Sequence, residues 1–249
     1  MQKNKAIAIT TITLFPQFIE QYTGFGIVSR AIKRKLLKWN VLDLRKFGLD
    51  ERKTVDDRPY GGGVGMVLRA DVLYKAIARA KGTGLRAKRK TRVILLAPSG
   101  KRFEQKDAVR LAKYDHIVFV SGRYEGADAR ITKFVDEEVS IGDYVLMGGE
   151  LPALVIAEAV LRNVSGVLGK DESATTESFS ERMLEYPQYT KPEQWKVESG
   201  KWKGKALKVP RVLLTGHHAN IETWRKAEAL KKTKKVRPDL LEPTKHKNA

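Results

Sequence analysis

Apolar and polar positions follow two rhythms over the first two-thirds of the chain. Residues 7–14 set β-branched side chains beside small ones and predict a strand, whereas Ile27, Ala31, Ile32 and Leu36 recur at helical spacing and predict a helix over 26–37. Residues 39–44 read as a second strand. Positions 71–80 predict a helix, with Asp71 as its N-cap and Val72, Leu73, Ala76 and Ile77 turned inward. The apolar run 93–97 predicts a buried strand stopped by Pro98-Ser99-Gly100. A helix over 104–113 follows, and then a strand over 117–120 that runs into Ser121-Gly122. A further strand is expected over 135–141 and a nearly all-apolar helix over 151–161. This βαβα order predicts an α/β fold: a mostly parallel sheet with helices on both faces. Beyond Arg162 the rhythm lapses. Residues 163–180 are rich in Gly, Ser, Thr and acids, and the remainder, notably 219–231, is basic and helical in pattern. The expected organisation is an α/β domain at 1–162, a flexible interdomain loop at 163–180 and a small helical domain at 181–249.

Charge changes the picture next. The chain carries 48 Lys and Arg against 29 Asp and Glu, a net charge of +19. A field of that size attracts polyanions, and a nucleic-acid phosphate backbone is the commonest one. Solubility or an anionic membrane surface would also use it, but no single helix concentrates the charge as an amphipathic anchor does. With no cysteine among 249 residues, disulfides and thiolate metal sites are excluded, as suits a reducing cytoplasm. No apolar run reaches the roughly 18 residues of a membrane span, and the first residues lead into a short alternating segment rather than a signal-peptide core. A cytoplasmic protein is expected. Gly82-Thr83-Gly84-Leu85-Arg86-Ala87 matches a loose dinucleotide-binding pattern, but it follows a helix and precedes a strand, the reverse of what that fingerprint needs.

Candidate chemistry gathers in loops where strands should end. Ser140-Ile141-Gly142-Asp143-Tyr144-Val145-Leu146-Met147-Gly148-Gly149-Glu150-Leu151-Pro152-Ala153 puts glycines, an acid and a tyrosine between a strand and a helix, so backbone can approach a ligand closely and free N–H groups face it. Leu96-Ala97-Pro98-Ser99-Gly100 and Ser121-Gly122-Arg123-Tyr124-Glu125-Gly126 should open on the same side, where open α/β sheets bind ligands. A fourth loop, 56–66, sets Arg58, Tyr60 and Gly61 within reach of a phosphate or base. Trp195, Trp202 and Trp224 lie among lysines and could stack on RNA bases; for Trp224, with Ile221 and Leu230 at helical spacing, packing is the better reading. Adjacent His217 and His218 do not share a helix face, and neither they nor the acids Asp136, Glu137 and Glu138 form a spaced ligand set, so no metal site is assigned. His218 is placed to cap or pack in the helical domain.

Taken together these segments resemble the bacterial tRNA (guanine-N1)-methyltransferase family, which acts on the guanosine 3′ of the anticodon, position 37. The likeness runs over nearly the whole chain. It includes 54–66, 121–126, 140–153, Gly166-Val167-Leu168-Gly169, Ser173-Ala174-Thr175, Ser178-Phe179, and 214–225 with Gly216, His218, Ile221 and Trp224. The resemblance implies a SPOUT-type knotted α/β methyltransferase fold, with a trefoil knot at the C-terminal end of the first domain. It also implies a homodimer whose active site is shared between subunits, and a C-terminal helical tRNA-binding domain. S-adenosylmethionine would sit against Leu96, Ala97, Pro98, Ser99, Gly100, Gly122, Ser140, Ile141, Gly142, Tyr144, Leu146, Gly148 and Gly149, with Tyr124 and Glu125 bordering its methionine part and the incoming base. RNA contacts would fall to Arg58, Tyr60, Gly61 and His218. Magnesium is a requirement of the family for which the sequence offers no identifiable site.

Guanine N1 carries a proton and becomes nucleophilic only when it leaves, pushing negative charge onto O6; a carboxylate base and a guanidinium are the minimal set. Arg162 matches the family's guanidinium. The family has Asp directly before Ser178-Phe179, and this chain has Glu177, one methylene longer; Asp171 and Glu172 are the neighbouring acids. Val64 stands where the family has proline. A non-catalytic RNA-binding protein and a methyltransferase of another RNA are the rival readings; the match through His218 and Trp224 argues against the second.

Overall fold

β1 (Ile7–Thr13) is buried along its whole length. A parallel sheet is covered on both faces, which is why this strand alternates β-branched with small residues rather than apolar with polar ones. In the computed structural model, which describes residues 6–82, 90–168, 178–179 and 182–242, β1 pairs in parallel with β2 (Leu37–Asp43) and with β6 (His116–Ser121). β6 pairs in parallel with β5 (Thr91–Arg102), and β5 in parallel with β7 (Glu137–Ser140). The five strands run in the order β2-β1-β6-β5-β7.

Helices cover both faces, as the periodicity predicts. On one side α2 (Gly26–Lys33), α4 (Gln105–Leu111) and α5 (Glu150–Leu161) bury Val28, Ala31, Leu111, Ile156 and Val160 against Ile9, Ile94, Ile117 and Phe119. On the other, α3 (Ala70–Gly82) buries Val72, Leu73, Ala76 and Ile77 against Ile12, Val93, Leu95, Val118 and Val120. A residue such as Ile156 or Ile77, at most 2% exposed, contributes about 2 kcal/mol by leaving water. A short antiparallel pair, β3 (Asp56–Asp57) and β4 (Val67–Leu68), brackets the glycine-rich loop.

Several boundaries depart from the sequence reading. The helix expected over 26–37 ends at Lys33, because Lys35 turns into the left-handed region at φ 59° and Leu37 already opens β2. Asp71 is not the N-cap of α3. It lies inside the first turn, accepts a hydrogen bond from the Val72 amide at 3.0 Å and pairs with Arg69 at 3.1 Å. Pro98-Ser99-Gly100 does not stop β5: Leu96 and Lys101 both register with Val139, so four residues leave the ladder and the strand resumes behind them. Proline has no N–H to give a central ladder, which explains the excursion. α1 (Pro16–Thr23), with proline in its first turn, is an additional helix.

The chain divides into two compact units, residues 1–171 and 172–249. The second contains α6 (His218–Val236), longer than the expected 219–231. Its Thr233 is fully buried; the hydroxyl donates to the Ala229 carbonyl at 2.7 Å and accepts from the Leu184 amide at 2.9 Å. Trp224 is half-buried with its ring 6.2 Å from that of Tyr189. This unit is not wholly helical. An antiparallel hairpin, β8 (Gln194–Lys196) and β9 (Ala206–Lys208), interrupts it, and three-residue strands rich in lysine carry too little alternation to be read from sequence.

Candidate active site

The three loops expected at the strand ends converge on one cavity of about 550 Å³ in the first unit. The excursion of β5 supplies Ala97, Pro98 and Ser99, beyond Leu96; the loop after β6 supplies Gly122, Tyr124 and Glu125; the loop after β7 supplies Ser140, Ile141, Gly142, Tyr144, Leu146, Gly148 and Gly149. Of the thirteen residues expected to hold a cofactor directly, only Gly100 is off this wall. Gly100 lies where β5 rejoins the ladder, and a Cβ there would come within 2.4 Å of the Val139 amide nitrogen. Its glycine serves the approach of β5 to β7. Ala129 and Thr132 also line the cavity, and the sequence reading gave them no role; Arg123, Val145, Met147 and Pro152 line it from within the expected loops, and Glu138, weighed in sequence only as a metal ligand, joins them.

Backbone makes most of the cradle. The Gly149 amide donates to the Gly122 carbonyl at 2.9 Å, and a Cβ at Gly149 would stand 2.7 Å from the Ser121 Cα. The loop after β7 is folded on itself: Ser140 Oγ accepts from the Gly142 amide at 3.2 Å and donates to the Gly142 carbonyl at 3.0 Å. Gly142 sits at φ +154° with the Tyr144 ring 2.5 Å from where a Cβ would be, so a side chain there would displace the tyrosine. Tyr144, Val145 and Met147 are 54%, 84% and 91% exposed, forming an apolar rim.

A buried ion pair fastens this cradle. Glu150, the first residue of α5 and 2% exposed, accepts from Arg123 Nε at 2.9 Å and from Thr13 Oγ1 at 2.7 Å. Arg123 also donates to the Met147 carbonyl at 3.1 Å and lies 4.3 Å over the Phe15 ring. One carboxylate thereby joins the end of β1, the loop after β6 and the start of α5, where a helix N-terminus favours negative charge. The 56–66 loop meets the same region: Glu125 donates its amide to the Met66 carbonyl at 3.0 Å.

The remaining candidates are not brought to this cavity. Arg162, exposed at the C-cap of α5, lines a separate cavity of about 370 Å³ with Tyr22, Phe25, Ile27, Glu158 and Leu161. There Tyr22 donates to Glu158 Oε2 at 2.7 Å; burial, and then this carboxylate, push the phenol well above its ordinary range. Gly149 and Arg162 flank α5 at opposite ends, ~20 Å apart at 1.5 Å per residue. Glu177, its neighbours Asp171 and Glu172, Gly169 and the Ser173-Ala174-Thr175 motif lie outside the described residues, as does the 83–89 part of the dinucleotide-like pattern. Arg58, Tyr60 and Gly61 lie on the loop between β3 and β4, with Tyr60 fully exposed and Gly61 at φ 86°. In α6 the cap is His217, whose Nδ1 accepts from the Asn220 amide at 3.4 Å; His218 is exposed in the first turn and neither caps nor packs in a core.

Known proteins resemble the chain over most of its length. The family described as tRNA (Guanine-1)-methyltransferase TrmD matches residues 7–243. A tRNA (guanine-N(1)-)-methyltransferase of Thermus thermophilus is 45% identical over 232 residues, 93% of this chain and 90% of that protein. Proteins of the same name from Shouchella clausii and Mycoplasmopsis agalactiae are 44% and 45% identical over 239 residues, spanning 93% and 98% of their own lengths.

Proposed function

This chain belongs to the tRNA (guanine-1)-methyltransferase family, and from that premise we propose that it transfers the methyl group of S-adenosylmethionine to N1 of the guanosine immediately 3′ of the anticodon, position 37, in tRNA. The observation that carries this reading is the cavity of about 550 Å³ at the strands' C-terminal ends, of small-molecule size and walled by main chain where Cβ atoms would intrude. An adenosyl group asks for such apolar and backbone contacts, and Leu96 to Ser99, Gly122, 140–142, Tyr144, Leu146, Gly148 and Gly149 would make them. S-adenosylmethionine supplies a methyl group on a sulfonium, so the protein has to orient the acceptor and remove its proton.

Glu177 is the general base in this scheme. It takes the N1 proton while Arg162 stabilises charge gathering on O6, and Tyr124 and Glu125 border the base. Its extra methylene relative to aspartate moves the carboxylate by about an ångström, which would cost up to roughly 100-fold unless the loop compensates. Because Arg162 is at the far end of α5 from the cavity of its own chain, a site using both is assembled across a homodimer. Exposed Phe15 at the N-cap of α1, Phe18 on α1, and Leu151 and Val155 on α5 offer apolar surface for that pairing. The three loops press backbone on backbone, as the trefoil knot of the SPOUT class would require. Residues 1–162 bind cofactor, 163–180 link, and 181–249 bind tRNA, with Arg58, Tyr60, Gly61 and His218 as further contacts. The reaction is placed in the cytoplasm with its tRNA substrate. Separately, among the described residues no helix is long and apolar enough to cross a membrane. Magnesium finds no set of three or more carboxylate or histidine side chains among the described residues, and no step is routed through it.

The test is methyl transfer from labelled S-adenosylmethionine to tRNA transcripts carrying guanosine or adenosine 3′ of the anticodon, with products located by nuclease digestion and mass spectrometry. Label is expected as 1-methylguanosine in the guanosine transcript alone. No label on either, with tRNA and cofactor both bound, would replace this reading with that of an RNA-binding protein that keeps the fold.

A further inference from the structure

The β8–β9 hairpin is an anomaly in its unit. Its register is well defined, with Gln194 opposite Lys208, Trp195 opposite Leu207 and Lys196 opposite Ala206, and the ladder is extended by Val197 and Lys205 at 3.0 Å and by Val209 and Glu193 at 2.9 Å. Yet every residue of both strands is exposed. Trp195 and Trp202 are 57% and 50% exposed, so neither tryptophan serves a core. Residues 194–208 hold five lysines and one glutamate. Lys205 Nζ lies 4.9 Å over the Trp202 ring.

Ordered backbone, half-exposed indole rings and a lysine excess are what a platform for unpaired nucleotides requires. Any base has a π-face to stack on an aromatic ring, and lysines track the phosphates between successive bases. Paired bases in an RNA helix offer no such face, so the ligand is a loop, a bulge or an end. A protein partner fits less well, because interface centres are depleted in lysine. We propose that the hairpin of residues 194–208 binds unpaired nucleotides of the RNA substrate, Trp195 and Trp202 stacking on bases and Lys196, Lys201, Lys203, Lys205 and Lys208 contacting phosphates. The proposal rests on tRNA being the substrate, and it adds a contact that acts on binding rather than on methyl transfer.

The experiment measures Kd for an unmodified tRNA transcript by filter binding, together with kcat and KM for tRNA. Trp195→Ala and Trp202→Ala are each expected to raise Kd and KM roughly tenfold while leaving kcat and the salt dependence of Kd unchanged. Phenylalanine at either position should restore most of the loss. A Lys201→Gln, Lys203→Gln, Lys205→Gln triple variant should instead flatten the salt dependence. In the wild-type protein, bound tRNA should shield tryptophan fluorescence from acrylamide, a readout independent of how any variant folds. Unchanged quenching, or wild-type Kd and KM in variants with a wild-type thermal melt, would overturn the proposal. So would loss of binding to phosphatidylserine vesicles in the tryptophan variants with tRNA binding intact. Binding is read apart from turnover: hairpin-dependent binding without methyl transfer would sink the methyl-transfer reading alone, and normal transfer with unchanged KM would sink the hairpin alone.

Discussion

Glu150 holds three segments with one buried carboxylate, and its removal should be felt well beyond α5. Glu150→Ala leaves Arg123, whose side chain is 24% exposed, without its acid and leaves the Thr13 hydroxyl without its acceptor. Breaking such a pair from one side costs about 3 kcal/mol, far more than an exposed pair contributes. Urea unfolding should show that loss, with Glu150→Gln milder because an amide oxygen still accepts from Thr13. Glu137 gives a pH signature. Burial alone would raise its pKa, but hydrogen bonds and charge from Arg92 at 2.9 Å and Arg110 at 2.9 Å outweigh burial and leave it below the ordinary value of 4.5. A carboxylate with a depressed folded pKa binds fewer protons folded than unfolded near that pH. Its contribution is whole above 4.5 and is lost as pH falls through the folded value. Glu137→Gln should therefore be less stable than wild type at neutral pH, and the gap should narrow below about pH 4.5; a constant gap would count against the pairing. Neither residue could be assigned from the sequence. Arg123 and Glu150 both sit inside the glycine-rich motifs, but their pairing depends on which loops the sheet order makes neighbours.

At the scale of elements, rhythm was a good guide where strands are long and buried on both sides. β1, β6 and α5 were legible for that reason, and so were the glycine-bearing loops that follow strands. β5 shows where rhythm fails. A proline in an apolar run reads as an end, whereas here the chain steps out for four residues and re-enters the same ladder. That step builds one wall of the cavity, so what looked like a terminator is part of the site. Gly100 is the condition for re-entry. Gly100→Ala would put a methyl group 2.4 Å from the Val139 amide nitrogen, backbone that cannot swing aside. The expected cost is at least about 2 kcal/mol. Because β7 leads into Ser140 and Gly142, equilibrium dialysis should also show weaker S-adenosylmethionine binding. A variant as stable as wild type with weakened binding would mean Gly100 touches the ligand directly. The β8–β9 hairpin was missed for the opposite reason to β5: its strands are too short and too wet to show alternation.

For the whole molecule, the decisive fact is that the cavity and Arg162 lie at opposite ends of α5, on walls that share no residue. The family resemblance implied a site shared between two chains; within one chain the cavity and Arg162 are kept apart. If the active site is completed by a second chain, two defective chains can repair each other. Gly142→Val, which forces the Tyr144 ring from its place, should close the cofactor cavity while leaving Glu177 and Arg162 intact. Glu177→Gln should do the reverse. In a mixture refolded from equal amounts of both, half the dimers pair one chain of each kind, and each such dimer holds one intact cavity facing one intact carboxylate. Activity should then recover to about a quarter of wild type, although neither variant alone turns over. A site contained within one chain predicts no recovery at any mixing ratio, because every cavity that binds cofactor would then face a glutamine.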